Sequence, residues 1–194
     1  MNERLKENTV WGAGTLTACT GLYLITNRIT DGFEGSYKMY FDWELGLALV
    51  PWMILVYSSF YGLLVLAFLT SKTREDLMNL SYSMVFCALV AAVCFVLFPG
   101  ELGYTRAEDA GVFKPLYDLL FVLDKPTNLF PSLHVAFSYV AVVFFVDQTS
   151  RTPLKLLAWT WLIAICFSVV LVHQHHVFDV FSGLALGWLA RRVI

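Results

Sequence analysis

Between Leu77 and Phe98 the chain contains no Asp, Glu, Lys or Arg. A helix needs about 20 residues to cross about 30 Å of hydrocarbon, so a run of this kind can span a bilayer. The pattern recurs along the chain. Apolar runs occupy about Val10–Ile29, Leu45–Leu69, Leu77–Phe98, Pro131–Val146, Leu154–Val172 and Val177–Val193, with the charges clumped between them. Six runs predict an all-α, polytopic membrane helix bundle of about six transmembrane helices, forming one domain over residues 1–194. Composition agrees, because 14 % of residues are charged and 58 % hydrophobic, where a soluble domain carries about 25 % charged. The first run is rich in Gly and Thr and is the least apolar. The fourth and sixth are short for a span, so their polar ends are expected to face water or protein. Pro99 to Asn128 reads as a long polar and mixed connection.

Six spans put both termini on one side. With the termini cytoplasmic, the inner segments hold Arg4, Lys6, Lys72, Arg74, Arg151, Lys155, Arg191 and Arg192, against five acids. The other side holds Arg28, Lys38, Arg106, Lys114 and Lys125, against ten acids. Cytoplasmic loops carry the excess of Lys and Arg, so the termini are predicted inside. The 99–133 segment and the histidine-rich stretch at 173–179 then share the outer face. The formal net charge of −2 implies no polyanionic partner, and no nucleic-acid-binding patch is present. Cys19, Cys87, Cys94 and Cys166 lie in apolar runs without metal-ligand spacing and read as small packing residues.

Ionisable groups are costly in lipid, yet "LVHQHHVFDV", Leu171–Val180, places three histidines and an aspartate together. His175 and Asp179 are four residues apart, so a helix would set them on one face. A carboxylate holding one imidazole nitrogen leaves the other unprotonated and more basic, the arrangement of histidine nucleophiles and bases. His173 and His176 point elsewhere on a helix and read as supporting histidines. A second stretch, "NLFPSLHVAFS", Asn128–Ser138, has Pro131 at a helix start, with Ser132 and His134 in the first turn. Free backbone N–H groups there favour an anion, Ser132 adds a hydroxyl, and His134 can supply a proton. A metal site is the rival reading, with His173, His175, Asp179 and His134 as ligands. It lacks a second carboxylate and the H-E-x-x-H spacing. On the outer connection Arg106 is the best phosphate-binding cation, because guanidinium matches phosphate oxygens bidentately. Lys125 and Lys114 are further candidates.

With these residues in place, the sequence resembles the type 2 phosphatidic acid phosphatase superfamily, whose active-site design is shared with vanadium haloperoxidases. The family's P-S-x-H motif reads Pro131, Ser132, Leu133, His134. Its S-R-x5-H-x3-D motif lands on Ser168, Val169, His175 and Asp179. The resemblance covers about Pro99 to Gly187. It implies His175 as the nucleophile forming a phosphohistidine, Asp179 as its orienting partner, His134 as general acid and then base, and Ser132 as a phosphate ligand. Ser168, His173 and His176 would support them. No metal and no cofactor are implied; the partners are the bilayer and a lipid phosphate. Two of the motifs depart from the pattern. Val169 replaces the motif arginine, and in the first motif, K-x6-R-P, only Arg106 survives, with Pro99 at the lysine position and Ala107 at the proline. Arginine is also lost in the inositol-phosphoceramide-synthase and sphingomyelin-synthase-like branches, which pass a phospho-headgroup to an alcohol.

The leading expectation is therefore an integral membrane lipid phosphatase acting on a phosphomonoester or diphosphate lipid, with its site on the extracytoplasmic face of the cell membrane. The alternatives are a phospho-headgroup transferase on the same residues and a transporter using the His and Asp as a proton relay. Ionisable residues gathered at one mouth, rather than along a path across the bilayer, weigh against the transporter.

Overall fold

The computed structural model describes residues 3–106 and 109–194; Ala107, at the degenerate first motif, lies outside them. Among the described residues seven α-helices follow one another: α1 (Glu3–Thr30), α2 (Met53–Leu69), α3 (Arg74–Leu97), α4 (Lys114–Leu123), α5 (Leu133–Gln148), α6 (Thr152–Leu171) and α7 (Val177–Val193). Short 3-10 turns lie at Asp42–Gly46 and Gly111–Phe113. Among the described residues there is no strand, only an isolated bridge between Tyr37 and Gly100.

The helix limits follow local chemistry. Thr73 caps α3 by accepting from the Asp76 N–H, and Asp76 accepts in return from the Thr73 N–H, a reciprocal pair that satisfies two otherwise orphaned donors. Pro99 stops α3, because a proline disfavours helical backbone in the residue before it. Two expectations change. The run from Leu45 is not one helix: the 3-10 turn and Pro51 interrupt it, and α2 begins only at Met53. The 99–128 connection is not all loop, because it contains α4, which starts with a proline in its first turn. Ten residues of helix reach only about 15 Å, so α4 cannot span a bilayer. It buries Tyr117 and leaves Leu119, Val122 and Leu123 exposed.

By length and composition, α3 and α6 can cross a membrane, and α2 and α5 are shorter apolar helices. Leu55, Leu66, Leu89, Val93, Ile163 and Phe167 are exposed on the outside of the bundle. Helix α5 sits at the centre, against α7, α6, α2 and α3, while α1 flanks α3 and α2. The α5–α7 approach is set by glycine. A Cβ on Gly183 would lie 2.6 Å from the Ser132 carbonyl oxygen, and one on Gly187 2.8 Å from that of Ala136. Small residues four apart let helix backbones meet closely. The chain entering α5 is tied to the end of α1. Asn27 bonds both the carbonyl and the N–H of Lys125, and Asn128 bonds Thr30 and Thr26.

Candidate active site

The close α5–α7 contact carries the two motif stretches to each other. Ser132 is the N-cap of α5, one residue before the helix rather than within its first turn. Its Oγ accepts from the Val135 N–H at 3.4 Å. The N–H groups of Leu133 and His134 take no partner among the described residues, so they remain available to an anion beside the positive end of the helix dipole. The Ser132 N–H donates to the Asp179 carbonyl at 3.1 Å. That bond fixes the start of α5 to the start of α7.

His175 and Asp179 do meet, but not along a helix. His175 lies before α7, His176 is the N-cap, and Asp179 reaches back across the cap. Asp179 Oδ2 accepts from the His176 N–H at 2.8 Å and stands 3.6 Å from His175 Nδ1. One carboxylate therefore caps the helix and faces the imidazole. Its Oδ1 is buried without a partner. The centroids of the His175 and His134 rings are 6.1 Å apart. His134 is stacked on Tyr57 at 4.3 Å, with Phe60 at 4.5 Å, and its Nε2 is buried and unpartnered. His175 is 5 % exposed, and its Nε2 takes no hydrogen bond among the described residues. His175 Nδ1 makes no hydrogen bond among the described residues either; a proton on it would face Asp179 and leave the lone pair on Nε2.

The turn that delivers His175 is a helix stop built on a histidine. His173 has φ of 58°, the left-handed region usually filled by glycine at a helix C-terminus. Its N–H donates to the Val170 carbonyl, and the N–H of Gln174 to that of Val169, the two bonds of a Schellman stop. A non-glycine residue there costs roughly 1–2 kcal/mol. His173 offsets this by stacking on Tyr104 at 4.0 Å and bonding the Leu47 carbonyl through Nε2 at 3.1 Å.

His176 is enclosed as well. Its ring lies between Tyr40 (4.5 Å) and Tyr104 (4.6 Å), so Tyr40, His176, Tyr104 and His173 form a column of four rings. Its Nε2 accepts from the Gly103 N–H at 3.1 Å, which leaves the proton on Nδ1, 3.4 Å from Glu44 Oε2. Glu44 is fully buried and also accepts from the N–H groups of Val177 and Phe41. Burial lowers the pKa of His176, although Asp179 and Glu44 pull the other way. Burial likewise lowers that of His173. Both support the His175 turn rather than lining the space between the two motif histidines. Sequence reading missed Glu44, Tyr40 and Tyr104. The only sign was a pair of acids among aromatics in "FDWELG".

The expected cations are placed less directly. Arg106 donates to the carbonyls of Phe121 and Asp124 at 3.1 and 2.6 Å, with its guanidinium over the Phe121 ring. It thus satisfies the C-terminus of α4 instead of meeting the histidines. Lys125 is pinned through its backbone by Asn27, just ahead of α5. Lys114 pairs with Asp118 on the exposed side of α4. Val169, at the motif arginine position, is fully buried, and its carbonyl accepts from Gln174 and His175. The Ser168 hydroxyl is spent on the Ile165 carbonyl. No cluster of three or more His, Cys, Asp or Glu that could hold a metal exists among the described residues.

A cavity of about 290 Å³ opens between α1, α2, α4 and α5, and its lining includes His134 and Asp124. Asp124 Oδ1 accepts from the Tyr23 hydroxyl. Burial raises the pKa of Asp124, while the Tyr23 bond and the nearby His175 and Arg106 lower it.

Residues 105–194 match the model of the PAP2 superfamily. An uncharacterised protein of Methanocaldococcus jannaschii is 27 % identical over 120 residues, covering 61 % of this chain and 46 % of its own length. The chain thus matches less than half of that relative. No solved structure matches.

Proposed function

We propose that the chain is an integral membrane phosphatase hydrolysing a lipid phosphomonoester or diphosphate, a reading supported by the match of residues 105–194 to the PAP2 superfamily model. The observation that carries the reading is the pairing of His175 and His134, 6.1 Å apart between ring centroids, with Asp179 behind His175. In the proposed reaction His175 Nε2 attacks phosphorus, an N–P bond forms and the bond to the lipid oxygen breaks. His134 gives that oxygen its proton. Water then attacks the phosphohistidine, His134 takes a proton from it, and phosphate leaves. Asp179 holds Nδ1–H and steadies the charge that develops on the ring. The free N–H groups at the start of α5, the Ser132 hydroxyl and Lys125 would meet the phosphate oxygens. Six helices, all but α4, would span the bilayer, with both termini cytoplasmic and the histidines on the outer side.

Purified protein in detergent should release phosphate from a lipid phosphate in the presence of EDTA, and vanadate should inhibit. A phosphorus-32 substrate should leave an acid-labile, base-stable label that His175→Ala lacks. A label that survives in His175→Ala, or activity that vanishes in EDTA and returns with zinc or manganese, refutes the proposal. Val169 at the motif arginine position keeps transfer to an alcohol as the second reading; an added alcohol that captures the phosphoryl group in preference to water would support it.

A further inference from the structure

The cavity beside His134 is apolar along most of its length, through Leu16, Leu64, Leu120, Leu133 and Phe137, but polar at one end. Three groups make that end. The Asp124 carboxylate accepts from the Tyr23 hydroxyl through Oδ1 and takes no further hydrogen bond among the described residues. Tyr57 is 2 % exposed, yet its hydroxyl has no partner. The ring of Tyr57 is stacked on His134, so the unpaired hydroxyl is attached to the catalytic wall itself. A buried polar atom without a partner costs about 1–3 kcal/mol, and a ligand donor or acceptor at this end would remove that cost. None of these residues belongs to either motif.

We propose that Asp124, Tyr23 and Tyr57 form a subsite for a free hydroxyl carried by the lipid next to its phosphate. The proposal rests on the phosphatase reading and deepens it. The carboxylate calls for a hydrogen-bond donor. A hydroxyl fits better than an ammonium, because the Arg106 guanidinium already lies against the Asp124 carbonyl and would repel a second cation. The hydroxyl belongs to the lipid rather than to a separate alcohol, because the polar end runs without a break into an apolar groove that also contains His134. The same groove can therefore take the chain and the hydroxyl of one molecule, with its phosphate directed past His134 toward His175. A site built to bond a hydroxyl discriminates against the analogue that lacks it far more strongly than an apolar pocket discriminates a methylene.

The test compares a one-chain glycerol phosphate lipid having a free 2-hydroxyl with its 2-deoxy analogue of equal chain length. The kcat/KM of the native protein should favour the hydroxyl lipid by tenfold or more. The ratio should fall toward one in Asp124→Asn and in Tyr23→Phe; the second variant keeps the ring that packs edge-on against Phe95 and so preserves the fold if the first does not. Val112→Ala, on the exposed connection, should leave the ratio unchanged. Equal turnover of both lipids by the native protein overturns the subsite while leaving the phosphatase reading intact, as does a ratio that neither variant moves. Asp124-dependent transfer of phosphate to added glycerol, with no preference between the lipids, assigns the hydroxyl to a separate acceptor and also overturns it. Failure to hydrolyse either lipid removes the phosphatase reading and the subsite together.

Discussion

Gly183→Ala should damage activity much more than stability. A Cβ at this position would sit 2.6 Å from the Ser132 carbonyl oxygen, whereas ordinary contact begins at 3.4 Å, so α5 and α7 must separate by about 0.8 Å (3.4 minus 2.6). Overpacking of this kind costs about 1–3 kcal/mol. The same separation acts on the Ser132 N–H to Asp179 carbonyl bond, now 3.1 Å. Lengthened by that amount it passes beyond hydrogen-bond range, and the two motif segments lose their direct link. A displacement of about 1 Å in a reacting geometry can cost about 10²-fold, so kcat should fall roughly 10- to 100-fold. Gly187→Ala meets the Ala136 carbonyl at 2.8 Å but lies one turn, about 5.4 Å, deeper. It should lose similar stability and less activity. Gly14→Ala meets nothing within 4 Å and should be neutral or stabilising by about 0.5–1 kcal/mol. Thermal unfolding in detergent and phosphate release measure the two effects separately. Wild-type kcat in Gly183→Ala, or equal activity losses at 183 and 187, would refute the idea that this contact sets the site.

His134→Ala should still accept a phosphoryl group from p-nitrophenyl phosphate, whose leaving group needs little acid help, and the labelled intermediate should persist; a variant that never labels would argue against His134 as the acid and base. Because burial lowers the folded pKa of His176 below its unfolded value, its contribution to stability is complete above about pH 6.5 and is lost as pH falls toward the folded pKa. Protonation turns the Nε2 that accepts from Gly103 into a donor, although Glu44 and Asp179 face the ring and soften the loss; unfolding between pH 7 and pH 5 should therefore be less pH-dependent in His176→Gln, and an unchanged slope would assign the dependence elsewhere. Val112→Cys, at a position 88 % exposed, should react with an impermeant thiol reagent in intact cells, and labelling only after lysis would reverse the proposed orientation. Glu44→Gln puts an amide N–H₂ in place of one of the two oxygens that accept from the backbone N–H groups of Phe41 and Val177, and should cost about 1–3 kcal/mol in thermal unfolding; an unchanged midpoint would mean that the acid is not needed there.

The apolar runs were the legible part of the fold. Val177–Val193 is read to the residue, and the limits of α3, α5 and α6 shift by one to three residues. These elements are long and uniformly apolar, and local caps and prolines end them. Leu45–Met53 was misjudged because hydrophobicity does not reveal a 3-10 turn whose Glu44 is needed 133 residues later in the chain. Helix α4 was hidden because its apolar face is short and interrupted. The histidines at 134 and 175 were legible as motif residues, but the way they meet was not. Spacing alone suggested a helical i, i+4 pair for His175 and Asp179, whereas the two meet across a capped helix start. Arg106 could not be resolved from sequence either: its partners are carbonyls exposed only by the end of a helix that had not been foreseen. Asp124 and Tyr23 are joined across 101 residues, a distance at which no local pattern operates.

The four-ring column has a consequence for the order in which the molecule matures. Its members come from residues 40, 104, 173 and 176, and Glu44 clamps the first of these regions to the last. Loop closure over such separations is slow compared with formation of a single helix. The preceding helices can therefore form and pack while His175 still lacks its place, since the turn holding it closes only when α7 arrives and the early 40–46 segment folds over it. Newly made protein should therefore pass through a helical stage in which His175 and His134 are not yet paired, and the pairing should appear only once the last helix is docked.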